Sequence, residues 1–230
     1  MMNKQQIKEE ILKEKLVVIA RGVPIEKLGR VAQALVDGGV KLLEVTFNQM
    51  SDDPAKEYAA SMDAVRQAVG DKLCLGAGTV LNTRQLQQAY DAGAGFYLSP
   101  NMKSDVITLG KELGMVCIPG AMTPTEIVDA YELGADIIKL FPADDLGYHY
   151  IWNLRGPLPH IPLLASGGVN PQTIPLFLEN RMDAVGTGAS ILKRELIDRC
   201  DWDGIRDLAR QHVDAIAAFM EKSKMIPARG

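Results

Sequence analysis

Two residues of this chain carry charge where the surrounding sequence is apolar: Lys139 in ADIIKLFPA and Glu44 in LLEVT. Desolvation disfavours an ammonium inside an apolar strand and lowers its pKa, so that a neutral amine becomes available. A neutral amine attacks a ketone. The iminium that follows withdraws electrons and acidifies the adjacent carbon, as making or breaking a carbon–carbon bond requires. Taken alone, Lys139 reads equally well as a strand lysine whose stem carries its head to solvent. Glu44 suits a general acid/base that moves protons, through water, to a carbinolamine and a leaving hydroxyl. Its alternative is a structural ion pair with Lys139 or Arg21.

Other polar groups fall just after apolar runs. Arg21 offers a planar fork of donors, and the GAGT turn ending at Thr79 offers backbone N–H groups beside a hydroxyl, together a possible seat for a carboxylate. ASGGV at 165–169 and GTGAS at 186–190 could cradle a phosphate on glycine N–H groups. Taken singly, Arg21 reads more readily as an exposed loop arginine, and the glycines as tight turns. Asp144, Asp145 and His149 in ADDLGYHYIWNLRG fit a solvated loop leading into a short helix better than a metal site, since no second ligand cluster exists.

The elements that must hold these groups recur along the chain. Helix-like stretches end in glycine and pass within a few residues into apolar runs, as in DAGAGFYLS, ELGMVCIP and ELGADIIKLF. Eight runs read as parallel strands covered on their outer face: 16–20, 42–46, 73–77, 95–99, 115–119, 136–140, 161–166 and 183–187. Helices are expected over 24–37, 55–69, 83–92, 103–113, 124–133 and 171–179. Pro24 and Pro124 suit first turns, and Thr83 or Thr123 suits a cap. This alternation predicts an α/β protein, a single-domain (β/α)8 TIM barrel over 1–230, with chemistry at the C-terminal strand ends. A helix at 3–15 would close the opposite mouth, 202–221 would be the last outer helix, and KSKMIPARG a frayed tail.

The 47% hydrophobic content suffices for one sizeable core, and the net charge of −4 comes from interspersed signs. No basic block suggests nucleic acid or acidic lipid as a partner. Cys74, Cys117 and Cys200 form no CxxC pair, which suits a reducing cytoplasm. His149, His160 and His212 show no metal-ligand spacing, and the N-terminal stretch lacks the apolar core of a signal peptide. No run approaches a membrane span.

Taken in order, LEVT, GAGTVLN, SPNMKSDVI, IPGAMTPTE, IKLFPA, SGGV and GTGAS resemble the family of 2-keto-3-deoxy-6-phosphogluconate and 4-hydroxy-2-oxoglutarate aldolases, across about residues 10–220. The resemblance implies a homotrimeric class I aldolase of the cytoplasm, without metal or cofactor. Lys139 would be its Schiff-base lysine and Glu44 its acid/base. It would cleave a 2-keto-3-deoxy sugar acid phosphate to pyruvate and glyceraldehyde 3-phosphate, or 4-hydroxy-2-oxoglutarate to pyruvate and glyoxylate. Expected substrate contacts are Arg21, Asn48, Thr79, Pro100, Gly120, Phe141 and Ser166, with the phosphate on Gly167, Gly168, Gly188 and Ser190. The phosphogluconate-type members carry Arg four residues after the catalytic Glu, where this chain has Asn48. The galactonate-type branch is closer here, with Arg21-Gly22 ending strand one, so Arg21 would take over the carboxylate.

Two further readings compete. A phosphosugar isomerase or epimerase would use Glu44 and the glycine loops but needs no amine on strand six. A sugar-phosphate sensor would leave Lys139 paired and inert, and no signalling module accompanies it.

Overall fold

Uniformly apolar runs make poor surface strands but good inner walls, and that is how the computed structural model, which describes residues 2–225, uses them. Nine strand segments are joined by ten α-helices among the described residues, with a 3-10 turn at Gly70–Lys72 before β3: α1 (Lys4–Glu14), β1 (Leu16–Ala20), α2 (Ile25–Asp37), β2 (Leu42–Thr46), α3 (Pro54–Val69), β3 (Cys74–Gly78), α4 (Thr83–Asp91), β4 (Phe96–Leu98), α5 (Ser104–Glu112), β5 (Val116–Ile118), β6 (Gly120–Ala121), α6 (Pro124–Glu132), β7 (Ile138–Leu140), α7 (Ala143–Arg155), β8 (Leu163–Ser166), α8 (Ile174–Glu179), β9 (Ala184–Thr187), α9 (Arg194–Asp198) and α10 (Trp202–Met225). All pairings are parallel, in the order β5-β4-β3-β2-β1-β9-β8-β7-β6.

The two ends of that order are one stretch of chain. Pro119 has no N–H and ends the expected strand 115–119 at Ile118 as β5, and the chain resumes beyond the expected bound as β6. Across the break, Ile137 N–H donates to the Cys117 carbonyl at 3.3 Å and Lys139 N–H to the Pro119 carbonyl at 2.9 Å, so the sheet closes on itself. The result is a parallel barrel ringed by helices, the (β/α)8 architecture in which eight wall positions are filled by nine segments.

Side chains alternate inward and outward along each strand. Val17, Leu42, Phe96, Val116, Ile137 and Leu164 fill the interior, and α1 adds Ile7 and Ile11 to the same cluster. Glu44 lies two residues beyond Leu42, and Lys139 two beyond Ile137, so both side chains face inward one layer nearer the C-terminal mouth. The outward side chains pack beneath the helices in the larger cluster around Leu35, Tyr97, Ile138 and Phe177.

Helix ends follow local chemistry. Gly93, Gly114 and Gly134 take positive φ where α4, α5 and α6 give way to strands. Thr123 caps α6 in a capping box with Glu126, whereas α4 is capped by Asn82 rather than Thr83. The stretch after Lys139, expected as a loop before a short helix, is helical from Ala143 on and is broken only at Gly147 (φ 74°). Asp144 and Asp145 in its first turn complement the helix dipole, which their reading as solvated loop residues left out. The short helix α9 was not expected. Of the supposed tail 222–230, residues 222–225 end α10 and 226–230 lie outside the described residues.

Candidate active site

Lys139 is 5% exposed and Glu44 1%, which makes them the two charged side chains of the barrel's inner wall. Neither carboxylate oxygen of Glu44 has a hydrogen-bond partner, so Glu44 is not tied into an ion pair with Lys139 or Arg21. Burial pushes the Glu44 carboxyl above the usual carboxylate range, against the pull of Lys139 and then of Arg21. Burial likewise pulls Lys139 below the ordinary lysine range; Glu44 opposes this shift and Arg21 adds to it. A buried ion without partners costs several kcal/mol, and the usual escape is to become neutral. Both groups are therefore driven toward the forms that imine chemistry uses, a free amine and a carboxyl that can give up a proton. The Lys139 Nζ stands 4.7 Å from the centroid of the Phe141 ring.

Room for this pair comes from small residues on neighbouring strands. Glu44 is in register with Gly76, and Thr46 with Gly78. A β-carbon on Gly78 would overlap the Glu44 carboxylate, and one on Gly76 would overlap the Phe96 ring. The GAG run thus serves side-chain placement within the barrel as well as the turn that follows it.

A cavity of about 510 Å³ opens above Lys139. Arg21 and Thr79 line one side, Pro100, Phe141 and Ser166 the rest, with Ile19, Gly188, Ala189 and Leu192 completing the wall. An Arg21 Nη donates to the Thr79 Oγ1 at 3.0 Å. Thr79 holds φ at 59°, unusual for a β-branched residue and costing of order 1–3 kcal/mol. The conformation turns its hydroxyl toward Arg21 and the cavity.

Other expected contacts stand differently. Asn48 is exposed, with its Nδ2 at 3.2 and 3.3 Å from the two Glu57 carboxylate oxygens, and it is not part of the cavity wall. Gly120 pairs with Lys139 in the sheet and packs on the backbone of Ser99 and Pro100, a close approach that only glycine permits. Gly167 and Gly168 take φ of 109° and 65°, and β-carbons there would meet the Asp144 side chain at 2.6 and 2.5 Å. Ser190 faces a second cavity of about 360 Å³, shared with Lys193 and His212. Its Oγ lies 2.7 Å from the Thr187 Oγ1 and 2.8 Å from the His212 Nε2. Gln49 was not singled out by the sequence, and Asp144 and His212 were weighed there only as metal ligands, because each meets the site through a partner distant in sequence.

An amine shifted toward neutrality and a carboxyl shifted toward protonation, buried together near the C-terminal mouth of a parallel barrel, define a lyase of the aldolase class. The chain belongs to the KDPG and KHG aldolase family, whose model matches residues 7–208. It is 33% identical over 180 residues to the 2-dehydro-3-deoxy-6-phosphogalactonate aldolase of Escherichia coli (strain K12), covering 77% of this chain and 84% of that one. Against the 2-dehydro-3-deoxy-phosphogluconate aldolase of Pseudoalteromonas atlantica it is 32% identical over 191 residues, 82% and 85% of the two chains. Among solved structures, one described as native KDPGal superposes with a TM-score of 0.80 at 28% identity, over 90% of this chain and 96% of that one.

Proposed function

We propose that this aldolase cleaves a 2-keto-3-deoxy sugar acid phosphate, the 6-phosphogluconate or 6-phosphogalactonate epimer, to pyruvate and glyceraldehyde 3-phosphate. The observation that carries the reading is the partnerless Glu44 carboxylate buried beside a Lys139 whose charge is disfavoured. Lys139 Nζ attacks the C2 ketone, and Glu44 delivers the proton with which the carbinolamine loses water. The iminium draws the electrons of the C3–C4 bond as that bond breaks, the Glu44 carboxylate left by the dehydration takes the proton of the C4 hydroxyl through water, and the aldehyde leaves. Protonation of the enamine at C3 and hydrolysis of the imine release pyruvate and free the amine.

Arg21 and Thr79, joined at 3.0 Å, are read as the seat of the C1 carboxylate, which Asn48 does not approach. Ser166, Pro100 and Phe141 shape the wall beside the reacting carbons. The phosphate is assigned to the Gly167–Gly168 turn and to the turn from Gly188 to Ser190, following strands β8 and β9. From its family the enzyme is read as a cytoplasmic homotrimer. No described helix is long and apolar enough to cross a membrane.

The decisive experiment is intact mass after incubation with pyruvate and borohydride. One pyruvate adduct per chain, mapped to Lys139 and absent from Lys139→Ala, is expected. A folded protein that takes up no adduct would overturn the reading and leave a Glu44-based isomerase to be tested.

A further inference from the structure

We infer that Gln49, in the loop after β2, is a positioning residue that locks the Thr79 turn and through it aims Arg21 at the substrate carboxylate. The inference rests on the reading of Arg21 and Thr79 as the carboxylate seat.

The orientation of each side-chain amide in this network follows from a backbone group. Leu81 N–H donates to the Gln85 Oε1 at 2.8 Å, and since an N–H can only donate, this fixes which end of the Gln85 amide is oxygen. The Gln85 Nε2 then donates to the Gln49 Oε1 at 2.9 Å, which fixes the Gln49 amide in turn. The Gln49 Nε2 is left facing the Thr79 carbonyl, to which it donates at 2.9 Å. Gln85 is buried at 8% exposure and its own N–H is held by the Asn82 Oδ1 at 2.9 Å, so the chain of bonds is anchored in the capped start of α4. Its last link reaches the site: Thr79 accepts from Arg21 through Oγ1 at 3.0 Å.

The clamp acts where the backbone needs one. Thr79 sits at φ 59°, a conformation that a β-branched residue leaves unless its surroundings hold it. Gly78 O accepts from Phe47 N–H and Val80 N–H donates to Leu98 O, so the residues on either side are secured by the barrel. The Thr79 carbonyl is held by Gln49 alone among the described residues' hydrogen bonds. The Thr79 carbonyl and the Val80 N–H belong to one planar peptide, so without the Gln49 bond that plane is held only at its Leu98 end; it tilts about that bond, the Thr79 hydroxyl shifts and the guanidinium loses the contact that orients it. Lys139 and Glu44, on β7 and β2, are untouched by this change, which separates carboxylate capture from imine chemistry.

The test compares borohydride trapping of pyruvate with that of pyruvamide, its uncharged carboxamide, in the full-length enzyme. Wild type should half-saturate with pyruvate at much lower concentration than with pyruvamide. Gln49→Ala should raise the pyruvate value about five- to tenfold, the loss of roughly one net hydrogen bond, with the pyruvamide value and the limiting trapping rate unchanged. Gln49→Glu, near in size but placing an acceptor against the Thr79 carbonyl, should shift pyruvate at least as far. A purely structural role would change both probes alike, and that result would overturn the inference. So would a wild-type pyruvate preference in both Gln49 variants while Arg21→Ala loses it. If Arg21→Ala also keeps the preference, the carboxylate reading itself fails and this inference with it.

Discussion

Glu44 occupies the space where a side chain on Gly78 would lie, so the carboxyl proposed as general acid can stand there only because the third strand ends in glycine. Gly78 has no positive φ, and alanine there is therefore a steric change and not a backbone one. Gly78→Ala should displace the Glu44 carboxylate and lower kcat by about a hundredfold, the range of a lost acid/base contribution. Overpacking should cost roughly 1–3 kcal/mol of stability. Steady-state kinetics beside thermal unfolding would check both, and near wild-type turnover would show that Glu44 need not hold this position.

The same buried carboxyl makes stability depend on pH in a direction that can be worked out. Its folded-state pKa lies above the ordinary value of 4.5, so between the two values the native state binds more protons than the unfolded state. Stability then falls as pH rises through that window, and the full penalty is present above the folded pKa. Glu44→Gln should accordingly be more stable than wild type at neutral pH, by about 0.5–2 kcal/mol, while losing turnover. The difference should vanish below pH 4.5. Denaturant unfolding at pH 4 and pH 7.5 checks this, and a variant less stable than wild type at pH 7.5 would sink it.

Lys139 also supplies a kinetic counterpart. In the proposed role of nucleophile Lys139 must be a free amine, and burial moves its pKa down, so kcat/KM should climb with pH through a midpoint below the ordinary lysine value of 10.5. Adding charge to the wall near it, as Phe141→Lys would, should push that midpoint lower still, because a second cation disfavours the ammonium. A pH profile of single-turnover imine formation reads the midpoint directly. A midpoint near 10.5 in wild type would contradict the burial argument.

What the chain showed in advance follows the range of the interactions concerned. The barrel strands were legible because walls buried on both faces need continuous apolar runs, and Lys139 stood out because a charge breaks such a run. Glu44 was visible for the same reason. The direction of Asn48 was not: a loop amide turns to whichever partner the fold brings near, and here Glu57 of α3 is that partner. The start of α7 was missed because Asp144, Asp145 and Gly147 resemble loop residues locally, although two acids in a first turn also stabilise a helix. Pro119 could have announced the split between β5 and β6, since a proline cannot supply the N–H that a continuous central strand requires.

His212 is fully buried on α10, and its Nδ1 lies 2.7 Å from the Leu208 carbonyl, which can only accept. In the neutral ring Nε2 must then accept, and the donor is the Ser190 hydroxyl at 2.8 Å. Burial lowers the His212 pKa below 6.5, with the Leu208 carbonyl opposing. The unfolded state therefore binds more protons just below pH 6.5, and stability is lost as pH falls through that region. His212→Leu should cost about 0.5–1.5 kcal/mol at pH 7.5, one net hydrogen bond, because the Ser190 hydroxyl loses its acceptor on His212 and is left with the Thr187 Oγ1 at 2.7 Å. The variant should show a shallower loss between pH 6.5 and 5, and parallel pH curves for the two proteins would rule out His212 as the source.

Asp144 tests the far end of the substrate site. Its carboxylate lies where β-carbons on Gly167 and Gly168 would be, beside the turn assigned to the phosphate. A phosphate on those N–H groups would meet a like charge within a few ångströms, an interaction of about 1–4 kcal/mol between the limits of bulk water and a protein surface. Asp144 is exposed, which places the effect toward the lower limit. Asp144→Asn keeps the size and removes the charge, so KM for a phosphorylated 2-keto-3-deoxy acid should fall about fivefold, while KM for the unphosphorylated acid stays put. The gap between Asp144→Asn and wild type should narrow in 0.5 M salt, where the Debye length shrinks to roughly 4 Å. Equal effects on both substrates would mean that Asp144 shapes the turn without acting on the phosphate's charge. A raised KM for the phosphorylated acid alone would mean that the carboxylate orders the Gly167–Gly168 turn for the phosphate, with its backbone role outweighing repulsion.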